Sequence, residues 1–190
     1  MWTHNNASPN RSQGGSAVRT VITHQIMEEI MQDNITPETL RAQIAALIVQ
    51  IANRPLDADL DGWLNAEHGR GSATYLALKT SCEAGVRDGW LCKREGSGIR
   101  YGRIFKPADD LHGFSVDVVD MTDIAGPHHV HPTGEIDLIM PLDADARFDG
   151  HPAGWLVYPP GSAHPPTVTG GRALVLYLLP QGQIQFTSHD

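Results

Sequence analysis

The 190-residue chain has almost no cysteine: Cys82 and Cys92 are its two, and neither forms a CxxC pair or stands beside a histidine. A disulfide framework and a thiolate zinc site are excluded, and two inert thiols are expected. Positive charge is also scarce, with 14 Lys and Arg against 22 Asp and Glu and a formal net charge of -8. Nonspecific binding to nucleic acid or to anionic lipid needs a concentrated basic face, so neither is an expected partner. No apolar run approaches the length that spans a bilayer, and the opening "MWTHNNASPNRSQGGSAVRT" lacks the apolar core of a signal peptide. The expected location is the cytoplasm. An internal repeat and a nucleotide-binding glycine signature are missing too; "GSGIRYG" is a loose glycine cluster that a hairpin turn explains.

The 41% of apolar residues suffices for a real core, and their spacing divides the chain into three stretches. Residues 1–20, rich in Asn, Ser, Gly and Gln, read as a flexible tail. Residues 21–89 read as helical. Val21, Ile22, Ile26, Met27, Ile30 and Met31 form one stripe, and a second helix opens at Thr36 with Pro37 in its first turn and Leu40, Ile44, Leu47, Ile48 and Ile51 as its buried face. "LDADLDGWLNAEHG" and "SATYLALKTSCEAGVRDGW" add two helical pieces, punctuated by Gly62, Gly69 and Gly71.

From residue 90 the period shortens to that of strands. "WLCKREGSGIRYGRIF" reads as two strands about an "EGSG" turn, and Phe114, Val116 and Val118 alternate with polar neighbours. Ile136, Leu138 and Met140 share one strand face, whereas "ALVLYLL" (173–179) is apolar on both. Such a strand needs cover outside its sheet, from the helical half or from a second subunit, and a homodimer is the expected assembly.

The chemistry concentrates in "GPHHVHPTGEIDLIM". Alternation along a strand turns His129 and His131 to one side, and Glu135 keeps their parity, while His128 points the other way. In "PPGSAH", Pro159, Pro160 and Gly161 force a tight turn that can present His164 from a neighbouring strand. Three imidazoles and a carboxylate suit a divalent first-row metal with open positions: Fe(II) or Mn(II) foremost, with Zn(II), Ni(II) and Co(II) also accepted by such ligands. The isolated His112, His151 and His189 read as surface or hydrogen-bonded residues.

"HVHPTGE" (His129, His131, Glu135) resembles the first cupin motif, HxHxxxE, and "PPGSAH" (Pro159, Gly161, His164) resembles the second, PxGxxH. The likeness implies an α+β chain whose helical N-terminal half is followed, over 90–190, by a small antiparallel cupin-like β-barrel holding the metal inside through those four side chains. Leu142 stands where the first motif has a glycine and Val168 where the second ends in asparagine, which bears on strand ends and loop shape.

Together with the helical first half and the stretch "GHPAGWLVYPPGSAHPPTV", the chain resembles the p-hydroxylaminobenzoate lyases of nitroaromatic breakdown. That resemblance implies conversion of 4-hydroxylaminobenzoate and water to 3,4-dihydroxybenzoate and ammonia, with a small aromatic carboxylate as substrate. Asp137, of the same strand parity as Glu135, is the candidate base that directs water. For the substrate carboxylate the candidates are Arg100 and Arg103, with Tyr101 on the face of Arg103 and Arg172 as a further option; Trp155 and Tyr158 are candidates for an aromatic pocket. Two other functions fit the motifs: an Fe(II) cupin dioxygenase acting on a small aromatic compound, which consumes oxygen, and a noncatalytic ligand sensor, whose helix and hairpin around residue 90 faintly suggest a winged helix-turn-helix but carry few basic residues.

Overall fold

The computed structural model describes Met1 and residues 35–187. The tail expected over 1–20, apart from Met1, and the helix expected over 21–33 lie outside the described residues.

Polar side chains set where each helix begins. Helix α1 (Pro37–Ile51) starts behind Thr36, whose hydroxyl accepts from Thr39 N at 3.4 Å while Thr36 N donates back to the Thr39 hydroxyl at 3.3 Å. Its buried face is Leu40, Ile44, Leu47, Ile48 and Ile51, the set that the sequence spacing singles out. Helix α2 (Ala58–His68) opens at Asp57, which accepts from Asp59 N and Leu60 N, and helix α3 (Ala73–Arg87) opens at Ser72, which accepts from Tyr75 N. Each such cap stabilises a helix end by about 1 kcal/mol. Gly62, expected as punctuation, lies inside α2, whereas Gly69 ends that helix. No helix of the described residues is long and apolar enough to cross a membrane.

The strands are β1 (Arg94–Gly96), β2 (Ile99–Phe105), β3 (Phe114–Ala125), β4 (His129–His131), β5 (Glu135–Pro141), β6 (Arg147–Phe148), β7 (Gly154–Tyr158), β8 (Ser162–His164), β9 (Thr167–Pro180) and β10 (Gln185–Phe186). β1 and β2 form the expected hairpin, turning through Ser97 (φ 52°) and Gly98 (φ 78°). On β9, Leu174, Leu176 and Leu178 join Ile136, Leu138 and Met140 of β5 in a core shared with all three helices, while Ala173, Val175, Tyr177 and Leu179 pack on the opposite face with Ile139, Phe148 and Val168. The two-faced strand therefore finds its outer cover within the chain. It gives no argument for a second subunit.

The expected closed barrel is not formed. The pairing runs β1-β2-β3-β9-β5-β7 in one open antiparallel sheet, with β6 on β9, and β10-β4-β8 make a separate three-stranded sheet. Two local features keep the sheets open. Prolines bracket the small sheet: Pro127 and Pro132 flank β4, and Pro159, Pro160, Pro165 and Pro166 flank β8, none with an N–H to carry the ladder onward. The outer edge of β7 is occupied by a helix instead of a strand. Asn65 of α2 donates to Trp155 O and accepts from Trp155 N, both at 2.9 Å, and Asp61 accepts from Val157 N at 3.0 Å. Gly154 permits this approach, because a Cβ there would lie 2.6 Å from Asn65 Oδ1.

Candidate metal centre

Strand alternation does bring His129 and His131 to one side, buried on β4 around the half-buried Val130. β8 lies antiparallel to β4 with His164 directly opposite His129, so the cross-strand pair completes a cluster of three imidazoles. The chain then reverses at Gly134 (φ 84°), where a Cβ would lie 2.7 Å from Tyr158 O, and returns as β5 with Glu135. One ligand-type nitrogen from each of His129, His131 and His164 lies within 4.8 Å of the others, a three-histidine cluster able to coordinate a metal ion.

The outer nitrogens are already engaged. His129 Nδ1 donates to Pro127 O at 3.0 Å, and His164 Nδ1 to Asp149 Oδ2 at 2.5 Å. This leaves their Nε2 atoms to the cluster, where His131 Nε2 and His164 Nε2 stand 3.1 Å apart. Glu135 reaches the same place, with Oε2 3.1 Å from His131 Nδ1 and Oε1 3.7 Å from His164 Nε2. The first of these contacts lacks hydrogen-bond geometry and the second is too long, so His131 Nδ1 and Glu135 Oε1 are buried without a hydrogen-bond partner, as is His129 Nε2. Orphaned buried polar atoms of ligand type are costly unless something binds them. A divalent cation fits this donor set.

Electrostatics ready two of the three rings for a metal, and the third must give up a proton to bind one. Burial, then the neighbouring His164, lowers His129 to about 4, and burial, then His129 and His164, lowers His131 to about 3, so both offer lone pairs at neutral pH. Burial also pulls His164 down, but its bond to Asp149 and the Glu135 carboxylate outweigh that and push it up to about 9. Asp149 is a carboxylate that the sequence reading missed. It accepts as well from Tyr158 OH at 2.6 Å and Thr167 N at 2.7 Å, and it orients His164 from behind as outer-shell carboxylates orient metal-bound histidines.

Asp137 lies on the same face of β5 as Glu135 but is fully buried, and neither carboxyl oxygen has a hydrogen-bond partner. Burial, then the charge of Glu135, raises its carboxyl well above the ordinary range. It does not line the cavity that opens onto the cluster. That cavity, of about 1010 Å³, has His129, Glu135 and Tyr177 in its wall and extends to Tyr101, Arg103 and Phe186.

The remaining sequence candidates separate. Tyr101 is in the cavity wall. Arg103 is there too, but its Nε contacts both Asp117 carboxylate oxygens at 3.0 Å and its NH2 donates to Gly182 O at 3.1 Å. Arg100 and Arg172 both pair with Asp120, away from the cavity wall. Trp155 faces the helices and donates to His68 O at 2.8 Å, while the Tyr158 ring lies 4.4 Å from that of His164 and supports Asp149.

Comparison with known proteins gives the chain a family. Residues 42–186 match the family described as PnbB, 4-hydroxylaminobenzoate lyase. A 4-hydroxylaminobenzoate lyase of Nocardioides sp. (strain LMS-CY) is 34% identical over 160 residues, covering 80% of this chain and 95% of the relative. That of Pseudomonas putida is 31% identical over 156 residues, covering 73% and 89%. Among solved structures, a DMSP lyase from Ruegeria pomeroyi DSS-3 is similar at 18% identity and a TM-score of 0.37, over 80% of this chain and 98% of that one. The resemblance drawn from the helical first half and the stretch "GHPAGWLVYPPGSAHPPTV" leads to the same family.

Proposed function

As this chain belongs to the 4-hydroxylaminobenzoate lyase family, we propose that it converts 4-hydroxylaminobenzoate and water to 3,4-dihydroxybenzoate and ammonia, using a divalent metal held by its histidine cluster. The observation that carries the reading is the convergence of three imidazoles, two of them buried and His129 Nε2 unpartnered, with His129 in the wall of a cavity large enough for a substituted benzoate. His129, His131 and His164 are assigned as ligands, with Glu135 as the fourth.

The reaction adds one water and neither takes nor gives electrons, so no redox cofactor is required. The N–O bond breaks with a proton supplied so that its oxygen leaves as water, one water adds to the ring carbon next to the nitrogen-bearing one, and a second replaces the nitrogen, which leaves as ammonia; two waters enter and one departs. When bound, the metal supplies Lewis acidity toward the hydroxylamino oxygen.

The chain's own groups do the rest. Asp149 and Pro127 O hold the outer nitrogens of His164 and His129 and so fix both rings. The aromatic ring of the substrate rests on Ile99, Val119, Met121 and Leu179 in the cavity wall. Tyr177, whose phenol burial and the nearby Asp137 and Glu135 keep protonated, is the wall group placed to donate a hydrogen bond. Asp137, behind that wall, is assigned to positioning Glu135 rather than to acting as the base.

The test is anaerobic incubation of the metal-loaded protein with 4-hydroxylaminobenzoate. Equal release of ammonia and 3,4-dihydroxybenzoate is expected. Turnover that requires oxygen would move the assignment to a dioxygenase.

A further inference from the structure

The cavity wall is positive on a chain of net charge -8: Lys93, Arg94, Arg103 and Lys106 line it, against the carboxylates Asp117 and Glu135. Glu135 stands at the histidine end, and Asp117 is taken by Arg103. Arg103 is further held by the Gly182 carbonyl, which makes it a tie between β2, β3 and the loop after β9. Its charge is matched by Asp117, and its Nε and NH2 are both engaged.

Arg94 is different. It lies opposite Tyr101 in the β1–β2 ladder, and the register continues through Val119 and Val175 to Ile139. Residues directly opposite share a face, so Arg94 emerges on the face that carries Glu135 and Asp137. It is exposed and has no ion-pair or side-chain hydrogen-bond partner among the described residues. Four inter-strand steps separate β1 from β5, about 19 Å across the sheet, and Glu135 lies four residues along β5 from Ile139, about 13 Å at right angles, so the two backbone positions are roughly 23 Å apart. An extended arginine, a para-substituted ring and a glutamate together span that distance. Lys93 and Lys106 flank the strands rather than sitting in the ladder, and an ammonium lacks the planar fork that grips a carboxylate through two bonds.

Phe186 adds a second reason to place substrate here. It is 64% exposed although large and apolar, lines the cavity, and has its ring 5.6 Å from that of His129. An aromatic side chain left open beside a buried histidine cluster is a ready surface for another ring.

We infer that Arg94 is the residue that selects for the carboxylate of an aromatic acid, gripping it at the cavity rim while the opposite end of the ring meets the histidine cluster, with Phe186 against the ring. This rests on the proposed function insofar as that reading supplies the aromatic acid. Its test is equilibrium binding to the metal-loaded protein of 3,4-dihydroxybenzoate and of 1,2-dihydroxybenzene, which lacks the carboxylate. Arg94→Ala should weaken the first by about 10- to 100-fold and leave the second unchanged, and Arg94→Lys should recover only part of the loss. An unchanged preference in Arg94→Ala, a preference lost only in Lys93→Ala or Lys106→Ala, or no preference in the wild type overturns the inference. Lyase turnover is followed alongside. An Arg94-dependent preference without lyase turnover leaves Arg94 standing and removes the lyase; turnover with a preference independent of Arg94 does the reverse.

Discussion

His164 donates its Nδ1 proton to Asp149 Oδ2 at 2.5 Å, and that bond decides which nitrogen faces the cluster. Asp149→Ala frees the ring to rotate and removes the carboxylate that raises its basicity. Metal affinity, measured by competition with a chelator, should fall about 10- to 100-fold. Affinity equal to wild type would show that His129 and His131 orient the site without help.

Asp137 is fully buried with both oxygens unpartnered, and burial raises its folded-state pKa. Burial and the Glu135 charge both favour the neutral acid, so Asp137→Asn keeps the charge state the site favours, and kcat should stay within a few-fold of wild type. A base in the reacting path would lose about 10²- to 10⁴-fold. The sign of the stability effect also follows. Below the unfolded pKa of about 3.9 both states are protonated and the buried acid carries its full stability; above it the unfolded chain releases a proton that the folded chain keeps, so stability is lost as pH rises toward the folded pKa. In metal-free protein, urea titrations of Asp137→Asn should show a smaller loss across that interval.

The edge of β7 depends on Asn65, whose amide uses both its donor and its acceptor on the Trp155 backbone. Asn65→Ala strands a buried N–H and C=O, and urea unfolding should show a loss of about 1–3 kcal/mol. A change below about 0.5 kcal/mol, typical of an unimportant surface site, would mean that water replaces the amide.

Both thiols are buried, and burial, then nearby Asp120, pushes Cys92 up to about 12. Little thiolate exists at pH 8. Native protein should therefore react with a thiol-specific reagent only at its rate of opening, and denatured protein should release two equivalents at once. Fast labelling of the native chain would contradict the burial of both side chains in the core that the helices share with the sheet.

The metal-type side chains were legible because they obey a local rule: His129, His131 and Glu135 share parity along the chain, and the Pro-Pro-Gly turn before His164 announces itself. Helix α1 was legible for the same reason, through a cap and a 3.6-residue stripe. Asp149 was not, since it reaches His164 from a loop position with φ 48° that no alternation pattern marks. Arg94 was passed over for Arg100 and Arg103 because partners across strands, Asp120 and Asp117, decide which cation is left free. Closure of the barrel was misjudged because prolines beside β4 and β8 and the Asn65 amide on β7 act through pairing, which the motifs do not encode.

The central claim is that the three imidazoles hold a metal the reaction requires. Metal-free protein titrated anaerobically with Fe(II) or Mn(II), with bound metal and 4-hydroxylaminobenzoate turnover followed together, tests it most directly. Activity should rise from zero and break at about one equivalent per chain, as a single filled site demands, and His131→Ala should show neither binding nor turnover. Full turnover in the metal-free protein, or unchanged metal binding in His131→Ala, would contradict the account.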